Sequence, residues 1–247
     1  MFVETGGTMS HSTQLHWDYR DGKVAAVVAA LVYSLWAVEV MLPGGSAAQG
    51  ALADQGSDFA RFLESAHRIG AILVVIAAAI GLGLGAREKT GHLLAVSWWC
   101  MLVFGAASLA TTFFPGPCVV STDVPCATES LAEGLEGATA TQAVVAAVAL
   151  LAALAGAVVL AVDRRRIGDG KWPLVAVVAA LQLVSAVTVL VAAVRVYAGG
   201  GDGDPGVVFS ALQRIHLVTV ALWLLTAGLL PSLWKRSWTP RDARAER

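Results

Sequence analysis

The sequence predicts an all-α, polytopic membrane protein: a bundle of six transmembrane helices with the N-terminus and the C-terminus in the cytoplasm. Three observations predict this class, namely the composition, the long apolar runs and the uneven distribution of Lys and Arg. Of the 247 residues, 57% are hydrophobic and only 14% are charged, whereas a soluble domain carries about 25% charged residues. We therefore expect a lipid bilayer to be the solvent for most of the chain.

Six apolar runs each approach the ~20 residues that a helix rising ~1.5 Å per residue needs to cross ~30 Å of hydrocarbon. They lack the alternation of a strand, which favours helices, because backbone hydrogen bonds must close within the bilayer. The predicted helices cover residues 24–42, 57–86, 93–115, 139–162, 172–195 and 205–234. Residues 1–23 are predicted to be a cytoplasmic tail and residues 235–247 a basic cytoplasmic tail, on either side of one membrane domain at residues 24–234.

Local signals delimit the first three predicted helices. The first apolar run is longer than the ~7–15 residues of a signal-peptide core, so we interpret it as a retained anchor. Helix 2 is expected to begin outside the membrane at Ser57–Asp58, a cap followed by an acid in the first turn. Ala77, Gly81 and Gly85 recur at every fourth residue, a spacing that favours close helix packing. Helix 3 is expected to end at Pro115.

Small and polar residues mark the last three predicted helices. In helix 4, Ala149, Ala153 and Ala157 repeat the four-residue spacing of small side chains. Helix 6 is expected to begin at Asp204–Pro205, with proline at the first helical position. Helix 5 carries four polar side chains along one side, which we expect to face the bundle interior: Gln182, Ser185, Thr188 and Arg195.

The distribution of Lys and Arg predicts the orientation. With the N-terminus in the cytoplasm, only four of the 17 Lys and Arg residues fall on the outer side: Arg61, Arg68, Arg195 and Arg214. Because cytoplasmic loops carry the excess of basic residues, both termini are predicted to be cytoplasmic and the protein to be a multi-pass protein of the plasma membrane. Membrane lipids are the expected partners. A protein partner or a homo-oligomer stays open, and no long basic run suggests nucleic acid.

Two cysteines lie in the predicted outer loop after helix 3. Cys118 and Cys126 are eight positions apart, with Asp123 between them. Outside a bacterial plasma membrane thiols are oxidised, so a Cys118–Cys126 disulfide is the first interpretation. The alternative is a metal or redox pair, although Cys-x-x-Cys spacing and a nearby histidine are both lacking. Cys100, within helix 3, is interpreted as a small buried apolar residue.

Ionisable residues also gather near the predicted outer ends of the helices. The group consists of Glu39 in helix 1, Glu64, His67 and Arg68 in helix 2, Arg195 in helix 5, Arg214 and His216 in helix 6, and Asp123 in the loop. Charges at membrane depth are costly and face a cavity, a partner or a pathway. In a purely structural interpretation, the arginines reach the membrane surface and pair with Glu39 and Glu64.

Three arginines from three helices would also suit an anionic head group, because guanidinium groups match phosphate and carboxylate oxygens. Our leading hypothesis is therefore a binding or accessory membrane protein. It would engage an anionic lipid, amphiphile or partner at its outer face through four residues: Arg68, Arg195, Arg214 and Glu64. No cofactor is expected.

Two other functions stay open. In a membrane-embedded hydrolase acting on an outer-leaflet lipid or amphiphile, His67 or His216 would be the general base, oriented by Glu39, Glu64 or Asp123. Two histidines and a carboxylate could also bind zinc, but metal-binding and esterase motifs are lacking and no metal site is predicted. A small-molecule transporter is disfavoured, because no predicted helix is broken near mid-membrane or carries a central acid.

Several short motifs carry a resemblance to a known family. They are Phe113–Pro115 at the end of helix 3, Cys118 and Cys126 with Asp123 between them, and Gln213–Ile215 followed by Trp223. Together with the six-helix layout over residues 24–234, they resemble the six-pass bacterial membrane family catalogued as domain of unknown function 998. The resemblance implies the fold and no assigned chemistry. Members often carry a histidine near the start of helix 4, and residues 136–145 contain none, so an activity that depends on it is not expected.

The disulfide interpretation can be tested on protein purified without reductant. Closing this short loop is expected to stabilise the folded chain by about 2–3 kcal/mol. After unfolding, a thiol-alkylating reagent should modify Cys118 and Cys126 only if the protein has first been reduced, while Cys100 reacts in either case. Peptide mass spectrometry measures the modification. Free thiols at both loop positions in the unreduced protein would contradict the interpretation.

Overall fold

A computed structural model describes residues 19–39, 58–88, 91–113, 137–198, 205–230 and 233–234. These residues form six α-helices and no β-strand, which confirms the predicted all-α class for the described part of the chain. The helices are α1 (Tyr19–Glu39), α2 (Asp58–Glu88), α3 (His92–Ala110), α4 (Gly137–Arg166), α5 (Trp172–Ala198) and α6 (Pro205–Leu229).

Five of the helices have the length and apolar character of membrane spans. The spans are Ser65–Leu84 in α2, His92–Ala110 in α3, Ala143–Arg166 in α4, Trp172–Arg195 in α5 and Leu212–Leu229 in α6. Their outward faces carry large apolar side chains, as on α5, where Leu181, Val184 and Val191 are exposed. Lipid is the natural neighbour of such faces, as expected for a multi-pass membrane protein.

The six helices pack as a closed ring. Each helix packs against the helices before and after it in the chain, and α6 returns to pack against α1. Over its described residues α1, whose first turn contains Arg20 and Asp21, is not among the five spans. It nevertheless closes the ring between α2 and α6, and it buries Ala26, Ala29 and Tyr33 in the common core.

Tryptophan rings pack directly on glycines of neighbouring helices. Trp98 of α3 covers Gly81 of α2, and Trp223 of α6 covers Gly156 of α4. A Cβ atom would lie 2.5 Å from the Trp98 ring at Gly81 and 2.6 Å from the Trp223 ring at Gly156, closer than Cβ atoms sit in proteins. Glycine therefore sets how closely these helices approach, which in a bilayer is a main source of helix association.

The turn after α6 folds back over one end of the ring. Trp234 packs on Gly22 of α1, and its ring centroid lies 4.8 Å from that of Trp98. The Trp234 Nε1–H donates a hydrogen bond of 2.8 Å to the Ala227 carbonyl oxygen. The two tryptophans fill this end of the ring, which is the cytoplasmic end in the predicted topology.

A tight turn joins α4 to α5 at the same end. Arg164 is buried in an ion pair with Asp163, and its Nη1 also lies 3.6 Å from Asp169 Oδ2. Gly168 has a φ of 69°, which glycine adopts without strain. Asp169 Oδ1 accepts the backbone N–H of Lys171 at 2.9 Å and so forms a turn directly before α5.

All six described helices end at residues other than the predicted ones, and three of these ends have a local cause in the sequence. α3 ends at Ala110, because Thr111 and Thr112 turn their hydroxyls back to helix carbonyls, at 2.7 Å each, and the last backbone hydrogen bonds tighten. α4 continues to Arg166, where the turn to α5 begins. α6 ends at Leu229, before Pro231, which lacks an N–H and disfavours helix in the residue before it.

Two glycines on α2 provide a matched test of the close packing. Gly81→Ala places a methyl group against the Trp98 ring and should lower the free energy of unfolding by about 1–3 kcal/mol. Gly83→Ala meets no atom within 4 Å and should leave stability unchanged or raise it by about 0.5–1 kcal/mol, because alanine favours helix. Thermal unfolding of both variants in detergent measures the difference. Equal behaviour of the two would contradict the packing.

Candidate functional site

A cavity of about 190 Å³ lies inside the ring, at the end opposite the Trp98–Trp234 pair. All six helices line it. The C-terminal parts of α1, α3 and α5 meet the N-terminal parts of α2, α4 and α6 there, so consecutive helices run in opposite directions. In the predicted topology the cavity lies at the outer end of the bundle.

The cavity has two chemically different walls. The wall from α4 and α5 is apolar and consists mainly of small residues, including Ala143, Ala147, Leu150, Val189 and Ala193. The polar groups come from the other four helices: Tyr33, His67, Ser108, Thr111, Gln213 and His216. Among the described residues that line the cavity, none is Asp, Glu, Lys or Arg. The described lining therefore offers hydrogen bonds and apolar contacts without a formal charge.

Aromatic rings connect the polar wall to the core below it. The Tyr33 ring meets His67 edge to face with 5.4 Å between centroids, and it lies 5.6 Å from the Phe104 ring. Phe104 in turn lies 5.9 Å from Trp223, the ring that packs on Gly156. The side chains at the base of the cavity are thus fixed by the same contacts that hold the helices together.

Hydrogen bonds between α5 and α6 fix the ring of His216. Its Nδ1 lies 3.2 Å from Ser185 Oγ. Ser185 Oγ also lies 2.9 Å from Thr219 Oγ1 and 3.0 Å from the Gln182 carbonyl oxygen, while the Thr219 hydroxyl donates to the His216 carbonyl oxygen at 2.7 Å. His216 is the member of this group that lines the cavity. The hydroxyls of Ser185 and Thr219 are not among the described lining residues, and their contacts hold the imidazole in place.

The three arginines predicted to bind a ligand lie at the same end of the ring. Arg68 and Arg195 are exposed, and Arg214 is buried. None of the three is among the described residues that line the cavity, but each is one or two positions from a residue that does. The two predicted histidines, His67 and His216, do line it and are brought together there with Gln213.

The remaining candidates lie wholly or partly outside the described residues. Glu39 belongs to α1 and Glu64 to α2, but their side chains are outside the described part of the structure. Asp123, Cys118 and Cys126 lie in a segment that is outside it altogether, so the disulfide stays a prediction.

Several lining residues were missed in the sequence. Ser108 and Thr111, which line the cavity, are one helical turn apart near the end of an apolar run. The predicted candidate His216 has the same spacing to Thr219, which is not among the described lining residues. Polar pairs of this kind share one helix face, and on a membrane helix that face turns inward. The spacing of these pairs therefore indicates inward-facing polar residues, as the spacing of Gln182 and Ser185 does for helix 5.

Metal-binding groups do not cluster in the described ranges: no three His, Cys, Asp or Glu side chains there could share an ion. Cys100 is a free, half-buried cysteine on α3. It lies at the contact with α4, where its Cβ would be 3.1 Å from a Cβ at Gly156.

Fold and site together define a class, a helical multi-pass membrane protein with a cavity inside its ring. No protein-family model matches the chain, and no curated protein or solved structure matches it significantly. The resemblance to domain of unknown function 998 therefore stays a prediction.

Proposed function

We propose that this chain is a six-pass protein of the plasma membrane with both termini in the cytoplasm, and that it binds an amphiphile with an anionic head group at its outer face. The observation that carries the proposal is the two-walled cavity lined by all six helices. Six crossings are supported by α1, which packs between α2 and α6 in a closed ring. A helix in that position crosses the same bilayer as its neighbours.

The apolar wall suits the hydrocarbon chain of an amphiphile. An apolar cavity of about 150 Å³ in a soluble protein takes up benzene, so a cavity of about 190 Å³ has room for a short stretch of chain. A chain that leaves the bilayer gains little from this transfer, because lipid is as apolar as the residues of the wall. Affinity and selectivity must therefore come from polar contacts of the head group.

Arg68, Arg195 and Arg214 supply those polar contacts in this proposal. Their guanidinium groups present paired N–H donors that match the oxygens of a phosphate or a carboxylate. Glu64 precedes Arg68 by one helical turn on α2, the spacing at which a carboxylate can orient an arginine. The arginines surround the cavity rather than line it, which leaves the cavity itself to the uncharged part of the ligand.

Hydrolysis of an outer-leaflet lipid is the second candidate function. One contact favours it: Ser185 Oγ and His216 Nδ1 are 3.2 Å apart, close to the spacing of a nucleophile and its base. Against it, Ser185 is not among the residues that line the cavity, so a substrate in the cavity meets the histidine first. In a hydrolase of this kind His216 would have to activate water instead.

The lipids that co-purify with the protein test the lead proposal. The wild-type protein should enrich an anionic lipid or amphiphile relative to the bulk membrane. The triple variant Arg68→Gln, Arg195→Gln, Arg214→Gln should reduce this enrichment by about ten-fold or more, because each charge-assisted hydrogen bond contributes about 1.5–3 kcal/mol. Quantitative lipidomics of both preparations measures the change.

A second triple variant controls for the loss of positive charge. Arg165, Arg166 and Lys171 are exposed at the opposite end of the ring, and their replacement by glutamine should leave the enrichment unchanged. Identical lipid profiles for the wild-type protein and the Arg68, Arg195, Arg214 variant would refute the proposed binding.

A further inference from the structure

The hydrogen bonds around His216 favour one of its two ring nitrogens as the carrier of the proton. Thr219 has one hydroxyl proton, which it gives to the His216 carbonyl oxygen at 2.7 Å. Ser185 also has one, and its contacts to Thr219 Oγ1 and the Gln182 carbonyl, at 2.9 and 3.0 Å, are shorter than its contact to Nδ1. If the Ser185 hydroxyl proton takes either of these two shorter contacts, Ser185 Oγ accepts a hydrogen bond from His216 Nδ1.

His216 therefore presents an acceptor to the cavity. Accepting at Ser185 Oγ requires a proton on Nδ1, and a neutral imidazole then has a lone pair on Nε2. A charged imidazolium is costly at membrane depth, and the described residues that line the cavity include no acid to pair with it. His216 is buried, with 7% of its surface exposed. Within the described part of the chain its Nε2 makes no hydrogen bond.

We infer that the cavity selects amphiphiles that carry a hydrogen-bond donor, a hydroxyl or an N–H group, between the anionic head and the start of the apolar chain. The donor bonds to His216 Nε2, and Ser185 acts as the positioning residue that keeps the proton on Nδ1. This inference rests on the proposed function, since it assumes that the arginines hold the head group while the chain enters the cavity.

The placement of the groups fits a ligand of this shape. His216 lies on α6 one helical turn after Gln213, which also lines the cavity, so it lies deeper in the cavity than the helix end that carries Arg214. Beyond it along α6 the lining becomes apolar, with Leu217 and Val220. The anionic head group would therefore meet the arginines, the hydrogen-bond donor would meet His216, and the apolar chain would meet the apolar wall.

Two probes that differ in one donor test the inference. Lysophosphatidate carries a phosphate and one free hydroxyl beside its acyl chain, and its 2-O-methyl ether has the same charge and chain without that hydroxyl proton. The wild-type protein should bind lysophosphatidate about five-fold to ten-fold more tightly than the ether, the usual effect of one buried hydrogen bond. Native mass spectrometry of the detergent-purified protein, titrated with each probe, measures the ratio of dissociation constants.

Three variants separate the donor contact from general damage. His216→Phe and Ser185→Ala should each reduce the preference to less than about two-fold, the first by removing Nε2 and the second by freeing the imidazole to move its proton. Thr188→Ala is the matched control on α5, because among the described residues the Thr188 hydroxyl bonds only to backbone carbonyls of its own helix, at 3.0 and 2.9 Å. It should keep the full preference.

The outcomes distinguish the inference from the proposed function. Equal binding of the two probes by the wild-type protein, or a preference that survives both His216→Phe and Ser185→Ala, overturns the donor contact and leaves the arginine site standing. Binding of neither probe overturns both. The donor contact is supported if the preference is lost in His216→Phe and Ser185→Ala and kept in Thr188→Ala. The arginine site is supported if the variant without the three arginines binds neither probe.

Discussion

The ring of helices depends on the contact between tryptophan rings and glycines. In a bilayer, water does not drive helices together, so association relies on close, extensive packing of surfaces that fit. One such surface is the contact of Trp98 with Gly81, between the neighbouring helices α3 and α2. The other is the contact of Trp223 with Gly156, between α6 and α4, which face each other across the ring. Trp98 also meets Trp234, which closes the cytoplasmic end of the predicted topology.

The cavity exists because large side chains are distributed unevenly along the ring axis. At one end two tryptophans fill the interior, and at the other end α4 and α5 contribute alanines, so the helices leave space between them. One polar group at this space, the imidazole of His216, is held by Ser185 of the neighbouring helix. A polar group at membrane depth is costly unless it is satisfied or faces a cavity, and His216 both contacts Ser185 and lines the cavity.

Composition and apolar runs were enough to predict an all-helical membrane protein, because the bilayer limits a chain to few structures. The spacing of small residues also predicts close packing at Gly81, but it does not identify the partner Trp98, because spacing within one helix does not show which residue of another helix it meets. The same reason hid the Ser185–His216 contact, which joins residues 31 positions apart. The chemistry of the imidazole alone identifies His67 and His216 as candidates. That they share one cavity follows only from the arrangement of the helices in the ring.

The most direct test of the account asks whether the cavity opens to the outer side of the membrane. Ala193 of α5 lines the cavity, and Ala179, on the same helix, is buried nearer the other end. In intact cells, a small, charged methanethiosulfonate reagent should modify Ala193→Cys and not Ala179→Cys, and excess lysophosphatidate should protect position 193. Peptide mass spectrometry locates the modification. Reaction at both positions, at neither, or at position 193 only from the cytoplasmic side of inverted vesicles would contradict the account.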